Sequence, residues 1–299
     1  MKMFVVTDNL MMFIKCHKLL KNISYLKVDY FCTPSSNDMF IQYIDKGIIS
    51  PTTIEENEDI LIKKYDIGFS CHSKQIFPQK IVNEIKCINI HPGLNPYNKG
   101  YYPHIFSIIN KLPTGATLHR MDEKIDNGPI IDQEQVLIES HDTSIDVYKK
   151  IIEKEINLIK RNINNILNNK EEYSFPILNG NYNSKDDFKK LCELNLREKT
   201  TMGEVIDRLR ALTHPPHKNA YFLNKEDKIY YISIKLVKHS DNHDSEINFK
   251  KLCKLNLDEN ITMGEAINRL IYISQFRYKY AYFLDKDNDE VYVSIEISY

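Results

Sequence analysis

The sequence predicts an α/β protein. A core with a mostly parallel sheet is followed by a small α+β tail made of two tandem helix-plus-hairpin repeats. Three observations carry this. Short apolar runs such as MFVV and IGFS alternate with segments whose apolar residues recur every three or four positions, as in strands joined by crossover helices. The stretch 87–131, CINIHPGLNPYNKGYYPHIFSIINKLPTGATLHRMDEKIDNGPII, reads strand, loop, helix, strand, loop. The tail repeats itself without a gap at an offset of 61 residues, FKKLCELNLREKTTMGEVIDRLRALTHPPHKNAYFL from Phe188 and FKKLCKLNLDENITMGEAINRLIYISQFRYKYAYFL from Phe249.

The elements follow in order. Residues 3–7 form a first buried strand, and Asp8 and Asn9 break it and cap a helix over 10–20. No G-x-G-x-x-G follows this strand, so an ordinary dinucleotide site is excluded, although free N–H groups at the helix start suit a phosphate. Residues 25–33 form a second strand, 38–43 and 55–64 helices, and 66–70 a further strand leading into CHSKQIFPQK. Residues 87–90 make a buried strand that carries Asn89 and His91 on one side. Pro92 and Gly93 force a loop, 102–112 form a helix, 115–121 a strand, and 121–128 an acidic loop closed by Gly128. Residues 130–138 read as a strand and 143–167 as a long amphipathic helix with no chemistry of its own. The polar stretch 168–183 is a linker. In the first tail copy, 201–211 form a helix, and 221–223 pair with 230–236 as a hairpin. The expected domains are 1–183, 184–238 and 239–299.

Composition narrows the function. Forty basic and 41 acidic residues leave a net charge of −1, which gives no field for a polyanion and argues against nucleic acid as partner. Six cysteines without a C-x-x-C pair read as reduced core thiols, and the N-terminus carries no signal or spanning segment, so a cytoplasmic protein without membrane attachment is expected. An amide at Asn89, an imidazole at His91 and a carboxylate at Asp126 can together hold an oxyanion and move a proton. From spacing alone, Asn89 and Asp126 read first as turn caps and His91 as a core histidine. His119 alternates on the strand 117–121, but no H-x-x-x-H or H-x-H spacing supports a metal, and none is expected.

Asn-x-His-Pro-Gly, the proline loop ending in Gly100 and Ile-Asp-x-Gly-Pro-Ile resemble the signature of folate-dependent formyltransferases. The fuller string is similar to the branch that formylates dTDP-linked amino sugars, and the likeness covers roughly residues 1–236. The resemblance implies a Rossmann-like formyltransferase core, N10-formyltetrahydrofolate as formyl donor, and Asn89, His91 and Asp126 as catalytic residues. Asn89 would donate to the oxyanion, His91 would move the proton, and Asp126 would orient His91. It places Gln75, Ile76, Phe77, Met121 and Asp122 toward the folate. It places Asp8, Asn9, Lys74, Tyr101 and Tyr102 toward the nucleotide-sugar, with Lys74 on phosphate and the tyrosines, where the family often has Trp-Phe, on the base. Plain readings stand beside these: Asp8 and Asn9 as caps, Lys74 as a solvated lysine.

The expected activity is N-formylation of a dTDP-amino-dideoxy sugar, foremost dTDP-4-amino-4,6-dideoxyglucose, for surface glycan biosynthesis. The alternatives are the 3-amino isomer, methionyl-tRNA formyltransferase, or a non-catalytic nucleotide-sugar module. A homodimer is expected, because tail hairpins offer strand edges and the sugar formyltransferases it resembles are commonly dimeric. Leu252, Ile267, Leu270, Phe283, Val293 and Ile295 match packing positions of the first copy, so the second should fold alike, serving dimerisation, a second ligand or stability.

Overall fold

A computed structural model describes residues 1–176, 180–238, 253–275 and 281–298. The chain packs as two compact units. The first holds 1–100, 113–136 and 150–182, and the second 101–112, 137–149 and 183–299.

In the first unit five strands are parallel: β1 (Lys2–Val6), β2 (Lys27–Cys32), β3 (Ile49–Pro51), β4 (Ile67–Cys71) and β5 (Lys86–His91). They are linked by α1 (Leu10–Leu20), α2 (Asn37–Ile44), α3 (Glu58–Lys64) and α4 (Gln79–Glu84), and lie in the order β3-β2-β1-β4-β5. The order reverses beside β1, so the loops after β1 and β4 open a crevice at the strand ends. Two more strands, β6 (Thr114–Arg120) and β7 (Ile130–Val136), complete the sheet antiparallel. The sheet is thus mostly parallel, as expected, but β6 runs against β5. Apolar alternation does not encode strand direction, and the short β3 was not expected at all.

Each sheet face has its own core. Phe4 and Val6 pack with Leu61, Tyr65, Phe77 and Ile81, all buried. Phe13 of α1 meets Tyr30, Phe40 and Tyr43 edge-on. Asn9 caps α1 by accepting from the Met12 N–H at 3.0 Å. The long helix α6 (Ser144–Leu167) buries Ile151, Ile152, Leu158, Ile159, Ile163 and Ile166, and its Lys154 and Arg161 pair with Glu134 and Asp132 of β7.

The second unit holds α5 (Pro103–Asn110), and α7 (Lys185–Cys192) runs into the first tail copy, which begins at Phe188. That copy continues with β8 (Lys199–Thr201), α8 (Met202–Leu212), β9 (Tyr221–Leu223) and β10 (Ile229–Lys238). The second comprises β11 (Cys253–Lys254), β12 (Asn260–Thr262), α9 (Met263–Gln275), β13 (Ala281–Leu284) and β14 (Glu290–Ser298). The helices start alike: Thr201 and Glu204 form a capping box, and Thr262 and Glu265 repeat its bonds. Of the expected packing positions, Ile267, Leu270, Phe283, Val293 and Ile295 are buried, while Leu252 lies outside the described residues, as do Phe249 and residues 276–280 of the diverged loop. No helix among the described residues is long and apolar enough to cross a membrane.

Candidate active site

β5 ends in His91, and the pleat puts Asn89 on the same side. Beside Asn89, in the antiparallel register, stands His119 of β6. The β6–β7 register slips between Leu118 and His119, and the loop that follows turns back over the strand end to bring in Asp126. Two features hold the loop. Asp126 adopts φ +51, a left-handed conformation that aspartate tolerates. At Gly128 a Cβ would stand 1.9 Å from the Arg120 carbonyl oxygen, so only glycine closes the loop. From below, Thr117 donates to the Gly93 carbonyl at 2.6 Å and accepts from the Asn95 N–H at 3.0 Å, while Asn95 Nδ2 donates to the Asp126 carbonyl at 2.9 Å.

The expected catalytic trio is therefore assembled. Asp126 Oδ1 lies 3.4 Å from His91 Nδ1 and 3.8 Å from His119 Nε2, and accepts from Asn89 Nδ2 at 3.2 Å. Asp126 Oδ2 accepts from the Gly100 N–H at 3.2 Å. Burial pushes the Asp126 carboxyl up, but His91, His119 and the Gly100 N–H together outweigh it and bring it to about 2. Burial also lowers His91, with Asp126 opposing, so its imidazole is neutral near pH 7. With Nδ1 turned to the carboxylate, Nε2 carries the lone pair, and this buried atom has no hydrogen-bond partner among the described residues.

His119 fixes the tautomers. Its Nδ1 faces the Arg120 carbonyl at 2.9 Å and must donate, so Nε2 accepts from Asn89 Nδ2 at 3.0 Å. Both amide protons of Asn89 are thus engaged, one on His119 and one on Asp126. Donation to an oxyanion, the role expected of Asn89, requires exchanging one of them.

A second buried pair stands at the next strand end. His72, directly after β4 with φ +57, meets Glu155 of α6 at 2.7 Å. Burial raises the Glu155 carboxyl, with His72 opposing. The long helix therefore does contribute a polar group. Glu155 falls three residues after Ile152 and four before Ile159, on the apolar stripe, and that placement was its sequence signal.

The expected binding residues divide. Asp8 accepts from the Thr33 N–H (2.9 Å), the Thr33 hydroxyl (2.8 Å) and the Lys74 N–H (2.7 Å), tying the loops after β1, β2 and β4 together. Asn9 caps α1, and Lys74 Nζ reaches Ser36 Oγ at 3.1 Å. Gln75 is spent on the Ile54 N–H and the Thr52 carbonyl, both at 2.8 Å. Phe77 is buried and stacked on Phe4 at 5.7 Å, which corrects its expected exposure to a pterin, and its neighbour Ile76 is 73% exposed. Met121 packs against the same core, and Asp122 accepts from the Lys124 N–H at 2.9 Å within its turn. In the second unit Tyr101 and Tyr102 are exposed, their rings 6.2 Å apart and tilted by 51°, with Tyr102 against Phe188 at 4.2 Å.

Residues 63–163 match the family described as Formyl transferase, and 187–238 and 248–299 each match the N-formyltransferase dimerization C-terminal domain. Over 176 residues the chain is 38% identical to a dTDP-4-amino-4,6-dideoxyglucose formyltransferase of Mycobacterium bovis, a match covering 59% of this chain and 75% of that protein. A crystal structure of a 4-N formyltransferase from Francisella tularensis is similar at TM-score 0.78 and 49% identity, over 80% of this chain and 98% of that one. A sugar N-formyltransferase from a Shewanella species follows at TM-score 0.74 and 36% identity, over 79% and 97%.

Proposed function

This chain belongs to the sugar N-formyltransferases, and from that premise we propose that it transfers the formyl group of N10-formyltetrahydrofolate to the amine of dTDP-4-amino-4,6-dideoxyglucose. The observation that carries the chemistry is the His91 imidazole, neutral, backed by an ionised Asp126 and bare at Nε2. The substrate rests on the 38% identity to an enzyme named for that sugar. By function we divide the chain into a catalytic core at 1–183, of which 101–112 and 137–149 pack with the second unit, a helix-hairpin subdomain at 184–238 and its duplicate at 239–299, a reading supported by the two tail matches at 187–238 and 248–299. All six cysteines are free thiols, five of them buried, in keeping with a reducing cytoplasm. The product, a formamido sugar, serves glycan assembly.

The donor supplies an electrophilic formyl carbon. As the sugar nitrogen bonds to it, His91 Nε2 takes the proton that nitrogen sheds. Asp126, 3.4 Å behind, stabilises the imidazolium. Asn89 keeps its charge-assisted bond to Asp126 and exchanges the one to the His119 ring nitrogen for the developing oxyanion. Collapse breaks the bond to the folate nitrogen, which receives the proton from His91. Lys74, exposed at the strand-end crevice, meets the nucleotide phosphates as a point charge. Ile76 and Asp122 line the folate side, and within the second unit the exposed Tyr101 and Tyr102 present aromatic faces of the kind a base stacks on.

The test is a panel of acceptors with formyl-folate: dTDP-4-amino and dTDP-3-amino sugars and methionyl-tRNA, compared by kcat/KM. The proposal expects the 4-amino sugar to lead. Preference for the 3-amino sugar overturns the substrate, and preference for tRNA overturns the sugar assignment.

A further inference from the structure

The tail repeats contact each other through positions related by the repeat itself. In the β10–β14 ladder Ile234 stands opposite Ile295, its own counterpart 61 residues on. Around that pair the register is reciprocal. Ile232 faces Ile297, the counterpart of Leu236, and Leu236 faces Val293, the counterpart of Ile232. A second ladder obeys the same rule: in β8–β12, Thr200 stands opposite Ile261, again 61 residues on.

The helix starts interlock in the same sense. The Gly203 N–H donates to the Leu257 carbonyl at 2.8 Å, and the Gly264 N–H to the Leu196 carbonyl at 2.9 Å. The Met202 N–H donates to Glu259 at 3.1 Å, and the Met263 N–H to Glu198 at 2.9 Å. A Cβ on either glycine would stand about 3 Å from the facing carbonyl oxygen, so the retained Met-Gly-Glu of both copies fits this close approach. Such reciprocity, in which i meets j and j meets i, defines a two-fold isologous interface. Here both halves lie in one chain.

We infer that the second repeat occupies, within the chain, the seat of a second subunit's tail, so that this protein is a monomer with an internal pseudo-two-fold interface. Two further observations agree. Both copies match a domain described as dimerization, and the Francisella neighbour is matched over 98% of its length by only 80% of this chain, leaving about the length of one repeat over. The hairpin edges from which a homodimer was expected are covered within the chain, the long edges of β10 and β14 being paired to each other. Among the described residues the five-stranded tail sheet ends in β9, three residues, and β11, two residues, and edges that short template little.

Sedimentation velocity on the full chain across the micromolar range tests this. The expected result is one species of 35.2 kDa whose sedimentation coefficient does not change with concentration. A species of twice that mass, whether by ordinary or exchanged-segment pairing, overturns it. Tagged and untagged full chains mixed during refolding give a second readout: they are expected to purify apart, and co-purification at equal amounts overturns the inference.

Discussion

Replacing Asp126 by asparagine removes a charge while leaving the shape of the site. The residue holds φ +51, which asparagine accepts as readily as aspartate, so the loop keeps its course, whereas alanine there would be strained. What is lost is the partner of the imidazolium formed on His91. Two unit charges at 3.4 Å interact by roughly 5 kcal/mol at an effective dielectric of 20, an upper figure for the stabilisation withdrawn. General-base assistance ordinarily contributes about 10²–10⁴ in rate. The expected result for Asp126→Asn is a fall of kcat by about 10²–10⁴, with KM for the nucleotide-sugar changed by less than about tenfold. Product formation followed by chromatography and mass spectrometry, with near-UV circular dichroism confirming the fold, provides the assay. A kcat within about threefold of the unmodified chain, in a folded variant, refutes the assignment of Asp126.

His91→Asn is expected to lose turnover and retain its fold, read by the same assay. The acid limb of kcat/KM against pH is expected below 6.5, the ordinary value, because burial holds His91 neutral; it should move lower still in Asp126→Asn, where the opposing carboxylate is gone. Asp126 itself, brought from 3.8 to about 2, adds about 2 kcal/mol of stability that is complete above pH 3.8 and is lost as pH falls through about 2, measurable by urea unfolding along an acid series. Phe77→Ala is expected to cost about 3–5 kcal/mol of stability in denaturant unfolding with little change in folate KM, the reverse of what a pterin contact predicts. Ending the chain after Val237 strips β10 of β14, and the product is expected to pair with itself about Ile234, giving a dimer by light scattering where the full chain gives a monomer.

Periodicity located most of the core because its signals are local. Helix α1 matches the expected 10–20, and the apolar stripe of α6 gives a helix one residue from its expected start. β3 escaped because Ile49–Pro51 is three residues long and ends in proline. Strand direction escaped because alternation reads the same both ways. In the site, the meeting of His91 and Asp126 was legible through a motif and not through spacing, since a 35-residue separation says nothing about a loop that doubles back. The surroundings of Gln75 and Phe77 were not legible for a different reason. The two residues sit in a loop with no period, where the choice between core and crevice depends on partners such as Phe4 and Ile54 that only folding brings near. The repeat offset was plain in the sequence. That each copy is the other's partner became visible only when Ile234 was found opposite Ile295.

The most direct measurement is transfer of isotopically labelled formyl carbon from N10-formyltetrahydrofolate to dTDP-4-amino-4,6-dideoxyglucose, with His91→Asn run in parallel. Label is expected in the sugar product of the unmodified chain, in proportion to the tetrahydrofolate released, and none above background with the variant. Label that stays on folate or appears as free formate, or equal labelling by the variant, would contradict the proposed transfer.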